Sequence, residues 1–282
     1  MSAQEVAASA STSPLPLDAA PRRSRSWSQR LLASLFWWVV SLAILVVVGW
    51  VAIVLVRLTS PKVVPYSFDW RVVTERGHLL VWGLEWTLGI SVISMALSLG
   101  LGLLVAVMRL SSVPPLRNLA TLYINASRAI PLFVFIIWVY YGLSIVIGVN
   151  FAPLVAGVAC LTLQYAGWLA EIFRSGIQAV DKGQWEAAYA VGMSPTQSFT
   201  SIIMPQALRI AIPPIANMFV GMLKDSSLVS VIGVFELIRQ TQLAVSQTFR
   251  PFELYTAATA IYLVLTLGAS RLVSMAEQRY RY

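Results

Sequence analysis

Residues 129–170 read AIPLFVFIIWVYYGLSIVIGVNFAPLVAGVACLTLQYAGWLA, a run of 42 residues without a charged side chain. A helix needs about 20 apolar residues to cross the hydrocarbon core of a bilayer. The run is therefore long enough for two spans, and Gly148-Val149-Asn150 supplies turn residues near its middle. It predicts two membrane-spanning helices joined by a short turn.

The rest of the chain favours the same environment. Of its 282 residues, 58% are hydrophobic and 11% are charged, and the mean hydropathy is +0.75, whereas a soluble domain carries about 25% charged residues. This composition excludes an ordinary cytosolic enzyme. Further apolar stretches bring the predicted number of spans to six, and they lie at 31–56, 86–108, 210–234 and 254–270. We expect an all-α integral membrane protein.

The charge distribution predicts the orientation. Residues 1–30 are rich in Ser, Ala and Pro and carry four arginines, which is typical of a disordered cytoplasmic tail before a first span at 31–57. With this tail inside and six spans, the loops on the cytoplasmic side hold the larger share of Lys and Arg, as the positive-inside rule requires. Both termini are then cytoplasmic. Topology accounts for the net charge of +8, so no nucleic-acid partner is needed.

Groups for catalysis and metal binding are scarce. The chain has one Cys and one His, which leaves little basis for a metal site or a Cys/His nucleophile. No G-x-x-x-x-G-K-[ST] sequence occurs, so a P-loop for ATP is absent. We therefore predict no catalytic residue, no metal and no cofactor in this chain.

The predicted cytoplasmic loop at 172–208 contains GQWEAAYAVGMSPTQSFTSIIMPQAL, residues 183–208. Gln184 to Val191 are good helix formers, and Gly192 is placed to end that helix because glycine adopts the left-handed conformation without steric cost. Ser194-Pro195-Thr196-Gln197 then supplies an N-cap, a proline at the first helical position and a glutamine at the third, which together start a second helix. The sequence predicts a short helix, a sharp bend and another helix.

This loop resembles the EAA loop of ABC importer permeases. The family pattern is E-A-A, three residues, G, nine residues and I-x-L-P. The matching residues here are Glu186, Ala187, Ala188, Gly192, Ile202 and Pro205. Met204 stands where leucine is usual, a change that preserves volume and apolarity. An amphipathic helix lying on the membrane is the alternative, although such a helix does not require this spacing.

The surrounding sequence resembles the permeases of polar amino acid uptake systems of the histidine, glutamate and glutamine type. The similarity covers about 83–275, including GLEWTLGISVISMALSLGLGLLVAVMRL at 83–110 and AGWLAEIFRSGIQAVDKGQWEAA at 166–188. Two features depart from it. The helix at 31–57 is additional to the five-span core, and Arg128-Ala129-Ile130-Pro131 stands where R-G-T-P is usual.

The resemblance implies partners. The helix with Glu186 would dock into a cleft of an ATPase subunit that carries ATP and Mg²⁺, with Ala187 and Ala188 allowing close approach. Two such ATPases, a second permease chain, identical or homologous, and an external amino-acid-binding protein would complete an importer in a bacterial inner membrane. An ATP-independent secondary transporter or channel is the main alternative, although one acid in a span and no evident internal repeat give it little support. A third possibility, a membrane enzyme, has still less support in the sequence.

Three charged residues near or within spans are candidates for the translocation path. Lys224 and Asp225 interrupt the span at 210–234, at a cost of about 2.5–3.5 kcal/mol for a central charge. They either face the substrate or form interhelical contacts, with Lys224 extending to the interface in the second case. Arg128, predicted near the start of the third span, either contacts substrate or anchors at lipid headgroups. Glu171 and Arg174, three residues apart, are expected to pair.

Overall fold

The computed structural model describes residues 27–59 and 66–280. The chain divides into two compact units, Met1–Ser67 and Phe68–Tyr282. Most of the predicted tail at 1–30 lies outside the described residues, although its last four residues already belong to a helix. That helix, α1, covers Trp27–Thr59 and contains the predicted span at 31–57.

The second unit is built from helices, and no strand occurs in the described ranges. Their order is α2 (Arg71–Glu75), α3 (Gly77–Leu110), α4 (Pro114–Ala129), α5 (Leu132–Ile137), α6 (Ser144–Ile147), α7 (Pro153–Gln178), α8 (Lys182–Ala190), α9 (Pro195–Ser198), α10 (Met204–Asp225), α11 (Leu237–Thr248) and α12 (Pro251–Tyr280). Trp138–Leu143 and Phe199–Ile203 are π-helical and Ser226–Ile232 is 3₁₀-helical. The described residues are thus an all-α chain, as predicted.

Five segments of the described chain are long and apolar enough to cross a membrane. They are Phe36–Thr59, Gly77–Leu110, Pro153–Gln178, Pro195–Ile232 and Pro251–Met275, and the bent pair Pro114–Ala129 and Leu132–Ile147 makes a sixth. The predicted division of the run at 129–170 is confirmed, since Gly148 has φ +68° and α7 begins at Pro153. The predicted count of six spans holds when the bent pair is one span.

The third predicted span is preceded by a further helix that the sequence did not predict. The chain is already helical from Pro114, and α4 meets the following helical segment at 105°. The bend lies at Ile130 and Pro131 because proline has no N–H to donate and forces its predecessor out of the helical region. Ile130 is accordingly extended, with φ −84° and ψ 126°. Arg128 therefore lies in the last turn of α4.

Helix α7 forms the centre of the second unit, packed between α3 and α10. It contacts α3 closely because small residues line the contact. A Cβ at Gly102 would lie 3.1 Å from the carbonyl oxygen of Ala166, and the Ser98 hydroxyl donates to the carbonyl of Thr162 at 3.2 Å. Such packing of small residues is how helices associate where lipid removes the hydrophobic driving force.

Candidate functional site

The first candidate site is the loop between α7 and α10, which we call the α8 loop (residues 179–203). Asp181 caps α8, its carboxylate accepting the Gly183 N–H at 2.7 Å. Two α8 residues face inward. Ala188 is buried, and Trp185 packs on a small core formed by Ile177, Val180, Ile203 and Ala207. Helix α8 is therefore anchored on the ends of both neighbouring spans.

The turn after α8 has the predicted glycine cap. Gly192 has φ +81°, the Met193 N–H donates to the Ala188 carbonyl at 3.1 Å, and the Gly192 N–H donates to the Tyr189 carbonyl at 3.0 Å. These two bonds are those of a Schellman motif, which satisfies the last carbonyls of a helix. A Cβ at Gly192 would meet nothing within 4 Å. Backbone conformation, and not crowding, is the reason for glycine here.

The predicted second helix starts immediately after this turn. Its capping box is complete, since the Ser194 hydroxyl accepts the Gln197 N–H at 3.3 Å and the Gln197 side chain accepts the Ser194 N–H at 3.0 Å. Helix α8 is also joined directly to the start of α10. The Gln206 amide donates to the Gln184 side-chain oxygen at 3.2 Å. The bend is thus fixed at three points.

The outer face of α8 is exposed in the part of the chain that the structure describes. Glu186, Ala187 and Ala190 are exposed, and Val191 is 77% exposed. Glu186 makes no hydrogen bond or ion pair with any residue that the structure describes. The exposed surface of α8 thus presents one carboxylate among apolar side chains, which also include Tyr189 at 47% exposure.

The predicted motif residues divide between this outer face and the inner one. Ala188 is 5% exposed and packs inside the chain, which places it on the side of α8 away from the exposed surface. Two adjacent helical residues point about 100° apart, and hence Ala187 alone of the alanine pair reaches the surface. Ile202 packs against the inner core and Pro205 is exposed in the first turn of α10.

The two helices that flank the α8 loop, α7 and α10, meet at one close contact. A Cβ at Gly176 in α7 would lie 2.9 Å from the carbonyl oxygen of Ala207 in α10. Their backbones therefore touch directly below α8, with no long side chain between them. Close-packed contacts of this kind transmit displacement because they have little room to deform.

The second candidate site contains the predicted charged residues in the spans. Asp225, the last residue of α10, is half-buried and its carboxylate accepts the Tyr165 hydroxyl at 2.8 Å. Tyr165 lies near the middle of α7 and is 4% exposed. Asp225 thus has an interhelical partner that the sequence did not identify, because the contact joins residues distant along the chain.

Lys224 and Arg128 are placed differently. Lys224 is exposed and its ammonium has no partner within residues 27–59 and 66–280. Arg128 lies over the ring of Trp168, with 4.6 Å between the guanidinium carbon and the ring centroid, at a cleft on the loop side of the unit. The structure therefore does not bring the three residues together as one site.

The second unit also contains an ion pair and a buried glutamate. Arg174 Nε donates to Glu171 at 2.9 Å, confirming the predicted pair.

Glu236, which the sequence did not single out, is fully buried and accepts hydrogen bonds from the N–H groups of Ile238 and Arg239 and from the Tyr262 hydroxyl. Burial raises the pKa of Glu236 to about 7, against the lowering effect of these donors. No group of three or more His, Cys, Asp or Glu within the described ranges is arranged to hold a metal.

These features, an all-α membrane unit with an anchored and capped loop, define a class of transport protein. The chain belongs to the family described as the binding-protein-dependent transport system inner membrane component, whose model matches residues 98–282. It is therefore a membrane component of such a transport system.

Particular relatives are similar over most of their length. The probable amino-acid ABC transporter permease protein YckA of Bacillus subtilis is 34% identical over 217 residues, covering 77% of this chain and 96% of the relative. The probable glutamine ABC transporter permease protein GlnM of Bacillus subtilis is 40% identical, with 70% and 91% covered. The glutamine transport system permease protein GlnP of Escherichia coli is 33% identical, with 76% and 99% covered.

A solved structure of an amino acid ABC transporter with histidines is similar in both sequence and fold. It is 38% identical with a TM-score of 0.73, and the match covers 76% of this chain and all of that chain. The MetNI methionine ABC transporter, at 18% identity and a TM-score of 0.62, shares the fold.

Proposed function

We propose that this chain is the permease subunit of an ABC importer that carries a polar amino acid into a bacterial cell. The observation that carries the proposal is the exposed outer face of α8, with Glu186 among small residues. The names of its relatives, which include glutamine permeases, support the class of substrate.

The energy enters through a partner. The outer face of α8 docks into a cleft of an ATPase subunit, where Glu186 pairs with a basic group and Ala187 permits close approach. The α8 loop is then cytoplasmic, both termini are cytoplasmic and the membrane is the inner membrane. Two ATPase subunits hold ATP and Mg²⁺, and this chain supplies no nucleotide site.

Movement passes from α8 to the spans through rigid contacts. Trp185 and the bond between Gln184 and Gln206 tie α8 to α10, and Gly176 ties α10 to α7. At the far end of α10, Asp225 is bonded to the middle of α7. A displacement of α8 therefore reaches the candidate path along both helices. ATP and the loaded binding protein each favour one of two states, which is alternating access.

The translocation path contains Lys224 on its surface. An ionisable residue in a span faces a water-filled cavity or another subunit, because lipid contact costs free energy. The exposed ammonium of Lys224 therefore supports a second permease chain, identical or homologous, opposite this one. Lys224 attracts the carboxylate of an amino acid, Asp225 adjusts the local charge, and Arg128 lines the loop-side cleft with Trp168.

The experiment is a comparison of two charge reversals, E186K and E75K. Both glutamates are exposed, but Glu75 ends α2 at the opposite end of the unit from α8. With the ATPase co-expressed, E186K is expected to abolish its co-purification and ATP-driven uptake in proteoliposomes, while E75K retains both. Both variants should melt at the wild-type temperature because neither glutamate is buried.

The alternative, a secondary transporter, gives the opposite result. It predicts full uptake by the purified chain in liposomes without an ATPase or ATP, and it predicts no difference between E186K and E75K. Either result would overturn the proposed function.

A further inference from the structure

Two tryptophans near the start of α3 form a pocket with a phenylalanine. Trp82 stacks on Phe235 with centroids 6.4 Å apart and planes at 25°, and Trp86 meets Trp82 edge-on at 6.4 Å. All three rings are exposed by more than a third of their surface. We call Trp82, Trp86 and Phe235 the aromatic pocket. It lies far along the chain from the α8 loop, at the end of the unit where α3 begins.

A carboxylate lies beside the aromatic pocket. Glu85 is the one charged residue lining the cleft that contains both tryptophans. It is exposed, and its carboxylate has no hydrogen bond or ion pair within the part of the chain that the structure describes. An unpaired carboxylate next to indole faces attracts an organic cation, since the ring faces and the carboxylate act on the same charge.

The cleft continues from Glu85 into a purely apolar groove. The lining residues of this groove include Gly89, Ile93 and Val158, and the whole cleft, with Glu85 and both tryptophans, has a volume of about 350 Å³. Gly89 lines the groove without a side chain, and a Cβ there would meet nothing within 4 Å. The site thus has a cation-binding end and a hydrocarbon-binding end.

The depth of Glu85 in a bilayer agrees with this polarity. Helix α3 has 34 residues, which is about 51 Å at 1.5 Å per residue. The hydrocarbon core is about 30 Å thick, so each end of a centred helix extends about 10 Å beyond it. Glu85 lies about 12 Å from the start of α3, near the boundary between headgroups and acyl chains. Tryptophans are enriched at the same depth.

We propose that this groove binds a phospholipid with a primary ammonium headgroup, namely phosphatidylethanolamine. The ammonium lies on Glu85 against the Trp86 ring, and one acyl chain lies along Gly89 and Val158. The charge of Glu85 disfavours an anionic headgroup such as phosphatidylglycerol. The carboxylate also accepts hydrogen bonds from a primary ammonium, which a quaternary ammonium does not donate.

The test measures lipid retained by the full-length protein. Wild type and variants are first delipidated in mild detergent. They are then exchanged into an equimolar mixture of phosphatidylethanolamine, phosphatidylcholine and phosphatidylglycerol with identical acyl chains. Native mass spectrometry measures which lipids remain bound. Wild type is expected to retain phosphatidylethanolamine over phosphatidylglycerol. In E85Q that preference is expected to fall about five-fold, since the substitution removes the charge interaction of the carboxylate and keeps the contact with the Trp86 ring.

Two glycine variants separate the groove from general effects of substitution. G89L fills the groove, whereas G100L places the same side chain in open space elsewhere on α3. G89L should lose bound phosphatidylethanolamine, and G100L should retain it. The proposal is overturned if wild type retains the three lipids equally, or if E85Q and G89L both bind phosphatidylethanolamine as wild type does.

Discussion

The glycine that ends α8 permits a quantitative test of the α8 loop. Gly192 has φ +81°, and a Cβ would meet no atom within 4 Å. Substitution by alanine therefore adds backbone strain without a steric clash. For a residue with a side chain, the left-handed conformation costs about 1–2 kcal/mol. We expect G192A to lower the equilibrium constant for forming the bent loop about 5–30-fold.

The assay is the affinity of the permease for its ATPase subunit, measured by titration of labelled ATPase onto the permease in nanodiscs. If α8 docks only in the bent loop, the Kd of G192A rises by up to the same 5–30-fold factor, because the apparent affinity scales with the competent fraction and that fraction falls by the full factor when the bent loop is marginally stable. Asparagine adopts the left-handed conformation more readily than alanine. G192N should therefore raise the Kd less than G192A.

The control is G100A, which makes the same substitution in α3 where the Cβ also meets open space. Gly100 is helical, so alanine is compatible with its backbone and the Kd should stay at the wild-type value. Equal Kd values for G192A and wild type, or a G192N value as high as that of G192A, would refute the role of the left-handed turn.

Two further predictions concern charged residues away from α8. K224A is expected to abolish amino acid uptake while leaving ATPase binding unchanged, and normal uptake would exclude Lys224 from the path. Burial raises the pKa of Glu236 to about 7 from an ordinary 4.5. Between these two pH values the folded state keeps the carboxyl proton that the unfolded state has lost. The free energy of unfolding therefore falls as pH rises from 4.5 through 7, by about 3 kcal/mol at 1.4 kcal/mol per pH unit. Thermal melting at pH 5 and pH 8 should show a smaller pH effect in E236Q than in wild type, and an equal effect would contradict the assignment.

Local signals in the sequence were sufficient to predict the α8 loop. The left-handed Gly192, the Ser194 cap and its glutamine partner act within a few residues, so their geometry follows from the sequence alone. The six-span count also followed from the length of apolar runs. The burial of Ala188 could not be predicted from the sequence, because the packing of Trp185 on the neighbouring helices decides which side of α8 is buried.

Long-range contacts account for the features that the sequence did not reveal. Tyr165 and Asp225 are bonded across α7 and α10, and Glu236 is buried by Tyr262 and the start of α11. Helix α4 was not predicted as part of a span because Arg117 and Arg128 interrupt its apolar residues. Its bend at Pro131 is a local signal, but the length of helix before it depends on packing against α7.

The same contacts restrict where the protein changes shape during transport. Helix α8, the end of α7 and the start of α10 are joined by buried apolar packing and by the backbone contact at Gly176, so they move as one body. Deformation must then occur beyond them. Immediately after Asp225 the chain changes from α-helix to the 3₁₀ segment Ser226–Ile232, and such segments often mark hinges. Because Asp225 stands at this change, its bond to Tyr165 is the contact that movement of α10 against α7 would alter first.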